Sequence, residues 1–225
     1  MFFWDSTMLL LIPPLLLSMF AQWKVRSTFE KYARVGSSRG LSGAEAASAL
    51  ARAERVPVSI RAGNGFLSDH YNPADNSLVL SPDVYSGRSL SSLGVAAHEL
   101  GHALQKRDGY WPMHLRSGLV PLSNFGSQFS MILFIAGMFA HVQMLQTAGI
   151  VLFSLAVLFT LVTLPVEFDA SSRALKLLRK HGIVSETEAP AVRRVLGAAA
   201  LTYVAAAVMA IVQLLRLVLI SRRDD

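Results

Sequence analysis

Long apolar segments alternate with polar stretches along the chain. Uncharged runs cover residues 7–23, 120–139, 144–166 and 195–215. A helix needs about 20 predominantly apolar residues to cross the hydrocarbon core of a bilayer. The pattern therefore predicts about four transmembrane helices, the middle two of which form a hairpin.

The polar stretch at residues 35–118 has the pattern of a small α+β domain. Ser42 and Glu45 have the spacing of a capping box at the start of an alanine-rich helix. A second helix is expected at residues 89–107, where apolar side chains recur at helical spacing. Between these helices, residues 56–60, 65–70 and 77–80 are β-prone and separated by turn sequences, which predicts a small antiparallel sheet.

These segments divide the chain into five expected parts. They are an N-terminal anchor with a basic flank at 1–34, a catalytic domain at 35–118, a transmembrane hairpin at 119–166, a polar segment at 167–194, and a C-terminal transmembrane helix with its tail at 195–225. The basic residues follow the first apolar run rather than precede it, so we expect an uncleaved anchor.

Composition and charge support a membrane protein and orient it. Hydrophobic residues make up 52% of the chain and charged residues 16%. Of the Lys and Arg residues, twelve lie at 24–116, six at 173–194 and three from 216 onward. The excess of positive charge predicts that both large polar segments are cytoplasmic and attract anionic lipid headgroups. No nucleic-acid reading module accompanies the net charge of +6, so we expect no nucleic-acid partner.

The strongest chemical signal is His98-Glu99-x-x-His102 within the second helix of the polar domain. Residues four apart lie on one helix face, so both imidazoles can bind one metal ion while Glu99 lies beside them. The chain has no cysteine, so a zinc ion would have nitrogen and oxygen ligands only. The alternative is a pair of histidines packed in a helix interface.

Catalytic zinc needs a third protein ligand and an open position for water. Asp108 has the spacing of the third ligand of one metalloprotease class, but Gln105 replaces the glycine that its turn requires. We prefer Glu167, because a carboxylate at the inner end of a membrane span is costly unless it is paired or functional. The alternative for Glu167 is a boundary carboxylate paired with Arg173.

Further residues have possible roles around such a site. Asp169 and Arg173 are expected to orient the ligands through hydrogen bonds. His114 and Tyr203 are candidates for stabilising an oxyanion. Residues 77–81 are the candidate exposed strand edge for an extended peptide substrate, with an ordinary sheet strand as the alternative.

Five blocks of the sequence resemble the YugP-like neutral zinc metallopeptidases of bacterial membranes. They are SDHYNP at 68–73, LSPDVY at 80–85, VAAHELGHALQ at 95–105, PVEFDAS at 165–171 and ALTYV at 200–204. The resemblance implies a peptidase with several membrane spans. The fourth block is similar to the Glu-x-x-x-Asp element that supplies the third zinc ligand in prenyl-protein endopeptidases, but here the fifth position is Ser171 and the Asp is Asp169.

We therefore expect a mostly α membrane protein with a small cytoplasmic, zincin-like α+β domain of the gluzincin type. The expected function is a zinc-dependent endopeptidase of the bacterial inner membrane, with one zinc ion per chain and Glu99 as general base. Its partners are a protein or peptide substrate and the lipid bilayer, and the sequence indicates no oligomeric state. An intramembrane protease is a second possibility, which the charges at Arg88 and Lys106 disfavour. A third is a non-catalytic scaffold with a structural or vestigial metal site.

Overall fold

A computed structural model of the protein describes residues 6–222, so the predictions for residues 1–5 and 223–225 lie outside the described part of the chain. A short 3₁₀ helix at Ser6–Leu11 comes first. The remaining elements are α1 (Ile12–Ala33), α2 (Gly43–Ala53), β1 (Ser59–Ala62), β2 (His70–Asn72), β3 (Ser77–Leu80), α3 (Pro82–Tyr85), α4 (Leu90–Arg107), α5 (Trp111–Ala140), α6 (Gln143–Lys180) and α7 (Ala189–Ser221). The prediction of a mostly helical chain is confirmed.

Four helical stretches of the described chain are long and apolar enough to cross a membrane. They are Thr7–Ala33, Trp111–Ala140, Gln143–Lys180 and Ala189–Ser221. Their number agrees with the hydrophobic pattern, but all four extend well beyond the apolar runs. In particular, α6 continues past residue 166 without a break, so Glu167 lies inside a helix.

The chain forms two compact units. The first comprises Met1–Ala21, His114–Pro165 and Thr202–Asp225 and is helical where described. Within it α5 and α6 pack closely, because a Cβ atom at Gly126 would lie 2.5 Å from the carbonyl oxygen of Leu152. Small residues at such crossings allow apolar helices to approach each other without a hydrophobic driving force.

The second unit comprises Gln22–Met113 and Val166–Leu201 and carries the polar chemistry of the chain. Its core joins side chains of α2, α4, the sheet, and the parts of α6 and α7 that belong to this unit. The fully buried leucines of this core include Leu50, Leu78, Leu93, Leu100 and Leu178. Burying a leucine side chain contributes about 1.5–3 kcal/mol, so these residues hold α4 in place against its neighbours.

The predicted capping box of this unit is present, and α4 has a cap as well. The Ser42 side chain accepts a hydrogen bond from the Glu45 backbone N–H, and the Glu45 carboxylate accepts one from the Ser42 N–H. Ser89 caps α4 by accepting a hydrogen bond from the Ser92 N–H. These bonds satisfy amide groups that a helix start leaves without partners.

The sheet differs from its prediction in two respects. Its order is β1-β3-β2, with β1 parallel and β2 antiparallel to β3, so the expectation of an all-antiparallel sheet is wrong. Because β3 has a neighbour on both sides, residues 77–81 do not form an exposed edge. The loop after β1 causes both differences. Its sequence predicts a tight turn, but the loop extends to Asp69. Within it Leu67 has a φ of 53°, and Ser68 donates a hydrogen bond to the Asn64 carbonyl.

Candidate metal centre

Helix α4 presents His98 and His102 on one face, as the four-residue spacing predicts. Their ring centroids lie 4.8 Å apart with the rings nearly perpendicular. His102 is buried, and the side chain of His98 retains 12% of its exposure. The apolar surface on the other side of α4 is packed into the core, so the two imidazoles have little freedom to separate.

Glu167 of α6 completes a cluster of three possible ligands. Its Oε2 atom lies 3.2 Å from Nε2 of His98 and 3.6 Å from Nε2 of His102. The ligand atoms of all three residues lie within 4.8 Å of one another. Glu167 is only 2% exposed, so this carboxylate is directed into the protein rather than into solvent.

The approach of α6 to α4 depends on Gly101, which lies between the two histidines. A Cβ atom at this position would lie 2.7 Å from the backbone oxygen of Ala170 and 3.1 Å from its Cα. Ala170 follows Glu167 by one helical turn. The absence of a side chain at Gly101 therefore lets the backbone that carries Glu167 come within ligand distance of the imidazoles.

The donor set suits zinc. Two imidazole nitrogens and one carboxylate oxygen are common zinc ligands, and three protein ligands leave a position open as catalytic sites require. The electrostatics agree with this assignment. Burial alone would lower the pKa of His102, but the nearby carboxylates of Glu167 and Glu99 outweigh burial and raise it. The cluster therefore stabilises positive charge.

Glu99 is next to the first histidine and is 8% exposed. Its charge also acts on Asp69, which sequence reasoning did not single out. Asp69 accepts hydrogen bonds from the backbone N–H and the hydroxyl of Ser81. Burial raises the pKa of Asp69, and the nearby Glu99 carboxylate raises it further. The start of β2 thus brings a second carboxyl group close to Glu99.

Asp169 and Arg173 follow Glu167 on α6, and their role in orienting the ligands stays a prediction. Arg173 Nε donates to Asp169 Oδ2 at 2.6 Å, and its Nη1 donates to Asp108 Oδ2 at 2.6 Å. Arg173 thus forms ion pairs with both of these aspartates. Asp108 also pairs with Arg107, and hydrogen bonds from Arg107 and Arg173 lower its pKa despite partial burial. It is an ion-pair partner at the end of α4 rather than a member of the ligand cluster.

Two side chains that touch the histidines were not assigned a role from the sequence. Gln105 Oε1 lies 3.0 Å from Nδ1 of His102, and Ser171 Oγ lies 3.2 Å from Nδ1 of His98. Their spacing is the signal that could have identified them. Gln105 follows His102 by three residues and Ser171 follows Glu167 by four, so each shares a helix face with a proposed ligand.

The two candidates for oxyanion stabilisation belong to the other unit. His114 is exposed near the start of α5, and Tyr203 is partly buried in α7. Their assignment stays a prediction.

Comparison with known proteins agrees with this arrangement. Residues 7–222 match the sequence profile of a family described as "Putative neutral zinc metallopeptidase". The chain belongs to this zinc metallopeptidase family. It is also 45% identical over 219 residues, covering 96% of the chain and 97% of the relative, to the "Putative membrane protease YugP" of Bacillus subtilis (strain 168). No solved structure matches the chain.

Family membership gives the cluster its most direct interpretation. A zinc metallopeptidase needs a metal site, and His98, His102 and Glu167 form a possible metal site within the described residues. All three belong to one compact unit of the protein.

Proposed function

We propose that the protein is a zinc-dependent endopeptidase of the bacterial inner membrane that cleaves peptide bonds of membrane or membrane-proximal proteins. The observation that carries this proposal is the convergence of His98, His102 and Glu167, with Glu99 adjacent to the first imidazole. Bound zinc would supply a Lewis acid for the scissile carbonyl and would lower the pKa of a water molecule.

In this reaction Glu99 is the general base. Its carboxylate takes the proton of the attacking water and delivers it to the leaving amine. The burial of Glu99 limits competition from bulk water. A carboxylate in this position has no use in a structural zinc site, which is normally closed by four protein ligands.

The substrate would pair with β2 as an added strand. Because β3 is the central strand, the free edges belong to β1 and β2, and β2 in the described chain pairs only with β3. The first residue of β2 follows Asp69, which is close enough to Glu99 for their charges to interact. An extended peptide held along this edge would make main-chain hydrogen bonds next to the general base.

The proposed location of the site is cytoplasmic. Eighteen of the 21 Lys and Arg residues lie in the polar stretches at 24–116 and 173–194, and the first of these stretches contains His98, Glu99 and His102. Membrane proteins retain segments with this charge excess in the cytoplasm.

The test compares the parent with Glu99→Gln in detergent and in lipid vesicles. Zinc content is measured together with cleavage of an unfolded fluorescent protein and of a membrane-tethered peptide. Glu99→Gln should retain zinc and lose about 10² to 10⁴ in rate, because the side chain keeps its shape and loses its basic carboxylate. The exposed Glu186→Gln is the matched control and should cleave like the parent.

A scaffold with a structural metal site predicts different results. A zinc-loaded parent that hydrolysed neither substrate, or a Glu99→Gln variant as active as the parent, would favour the scaffold.

A further inference from the structure

Gln105 is a fully buried polar residue in the last turns of α4. It has no exposed surface and is flanked by the buried Leu104 on the same helix. Burying an amide is unfavourable unless its hydrogen-bonding groups find partners. Gln105 has three partners: its Nε2 donates to the Val166 carbonyl at 2.7 Å and to Asp169 Oδ2 at 2.9 Å, and its Oε1 faces Nδ1 of His102 at 3.0 Å.

These partners determine the orientation of the amide. The Val166 carbonyl and the Asp169 carboxylate can only accept hydrogen bonds, so both must face the NH₂ group of Gln105. A flipped amide would bring its oxygen against two other oxygens. Arg173 holds the Asp169 carboxylate in place from the other side. The oxygen of the Gln105 amide is therefore directed at His102.

The orientation of the amide decides which nitrogen of His102 carries the proton. An amide oxygen only accepts, so Nδ1 of His102 must donate. A neutral imidazole protonated at Nδ1 has its lone pair on Nε2, which is the atom that faces Glu167. We propose that Gln105 is a positioning residue that fixes the His102 tautomer and thereby presets Nε2 as a metal ligand. This inference rests on the proposed zinc site.

The corresponding contact at His98 does not determine a tautomer. Ser171 faces Nδ1 of His98, but a hydroxyl group can either donate or accept a hydrogen bond. Ser171 can therefore orient the imidazole of His98 without selecting its tautomer. The fold presets the tautomer of His102, whereas the tautomer of His98 is free to adjust when a metal binds.

Gln105 also controls the position of the third ligand. The two groups that receive its N–H bonds, Val166 and Asp169, lie on either side of Glu167 in α6. One amide thus connects an imidazole of α4 with the helical turn that carries the carboxylate. Loss of this amide should loosen both ligands together.

The first experiment measures the zinc dissociation constant by chelator competition in the purified full-length protein. In Gln105→Met the new side chain has a similar volume but cannot make these hydrogen bonds. The zinc affinity of this variant should fall by about 10- to 100-fold, as happens when other residues that orient metal ligands are replaced. Gln105→Glu keeps an acceptor for Nδ1 but places its second carboxylate oxygen against the Val166 carbonyl and the Asp169 carboxylate, so its zinc affinity should also fall. Gln146→Met, which replaces a buried glutamine of the other unit, should bind zinc like the parent.

Two affinity results would overturn the proposal. One is a Gln105→Met variant within about twofold of the parent. The other is a Gln105→Glu variant that binds zinc as tightly as the parent, which would show that the N–H bonds to Val166 and Asp169 do not orient the side chain.

The second experiment reads the tautomer directly in the parent protein. In the zinc-free parent labelled with ¹⁵N-histidine, at a pH where the imidazoles are neutral, Nδ1 of His102 should carry the proton. A His102→Gln sample assigns the resonance. Protonation at Nε2 instead would refute the proposal. A parent that bound no zinc but showed the Nδ1 proton would overturn the proposed function and leave the tautomer assignment intact.

Discussion

Ser171 Oγ lies 3.2 Å from Nδ1 of His98, while Glu167 Oε2 lies 3.2 Å from Nε2 of the same ring. Because Ser171 follows Glu167 by four residues, α6 contacts both nitrogens of this imidazole from one face. Asp169, two residues before Ser171, contacts Gln105 and Arg173 instead. The hydroxyl thus occupies the place that the resemblance to prenyl-protein endopeptidases assigns to a carboxylate.

Ser171→Ala should weaken zinc binding by less than about tenfold, because the imidazole loses an orienting contact but keeps its nitrogen. Ser171→Asp should bind at least as tightly as the parent, since a carboxylate makes the ligand more basic. Chelator competition measures both values. Ser154→Ala, which removes a hydroxyl of the other unit that donates to the Val151 carbonyl, is the control. Unchanged affinity in both Ser171 variants would show that the contact has no role at the metal.

Glu167→Ala should lose most of its zinc, because two imidazoles alone form an incomplete ligand set. Asp108→Ala should keep it, since Asp108 pairs with Arg107 and Arg173 outside the cluster. Metal analysis of the purified variants distinguishes the two carboxylates. Full zinc occupancy in Glu167→Ala would refute the ligand assignment.

Gly101→Ala should both destabilise the protein and weaken zinc binding. The added methyl group would meet the backbone of Ala170, and overpacking of this kind typically costs about 1–3 kcal/mol. Gly197→Ala is the matched control, because a Cβ atom at this helical position has no neighbour within 4 Å. Its stability should be unchanged or higher by up to about 1 kcal/mol. Thermal unfolding in detergent measures both effects, and equal behaviour of the two variants would contradict the close approach of α4 and α6.

Glu54 gives a pH-dependent contribution to stability. Hydrogen bonds from Lys180 and His181 lower the pKa of Glu54. A lowered carboxyl pKa stabilises the folded state above the unfolded pKa, and this stabilisation is lost as the pH falls through the folded pKa. Glu54→Gln should therefore be less stable than the parent at neutral pH, and the difference should shrink in acid. Glu30→Gln, which removes an exposed pair with Arg26, should have little effect at any pH.

The absence of cysteine allows a direct test of topology. A cysteine at the exposed Arg34 should resist an impermeant thiol reagent in intact cells, and one at the exposed His141 should react. Both should react after permeabilisation. The reverse pattern would place the metal centre outside the cytoplasm.

The sequence by itself determined the features that depend on neighbours along the chain. The four apolar runs, the capping box of Ser42 and Glu45, and the shared face of His98 and His102 all follow from helical periodicity and local hydrogen bonding. Glu167 could also be proposed from the sequence, because an acidic residue at the end of an apolar run requires a reason.

Only the tertiary structure decided which distant residues surround the ligands. The central position of β3 depends on a loop that places β1 parallel to it, and the turn residues did not reveal that path. Gln105, Ser171 and Asp69 became recognisable when α4, α6 and the start of β2 were brought together. The physical reason is that hydrogen bonds between separate elements depend on how closely their backbones pack, and here that distance is set by Gly101 against Ala170, which no local pattern records.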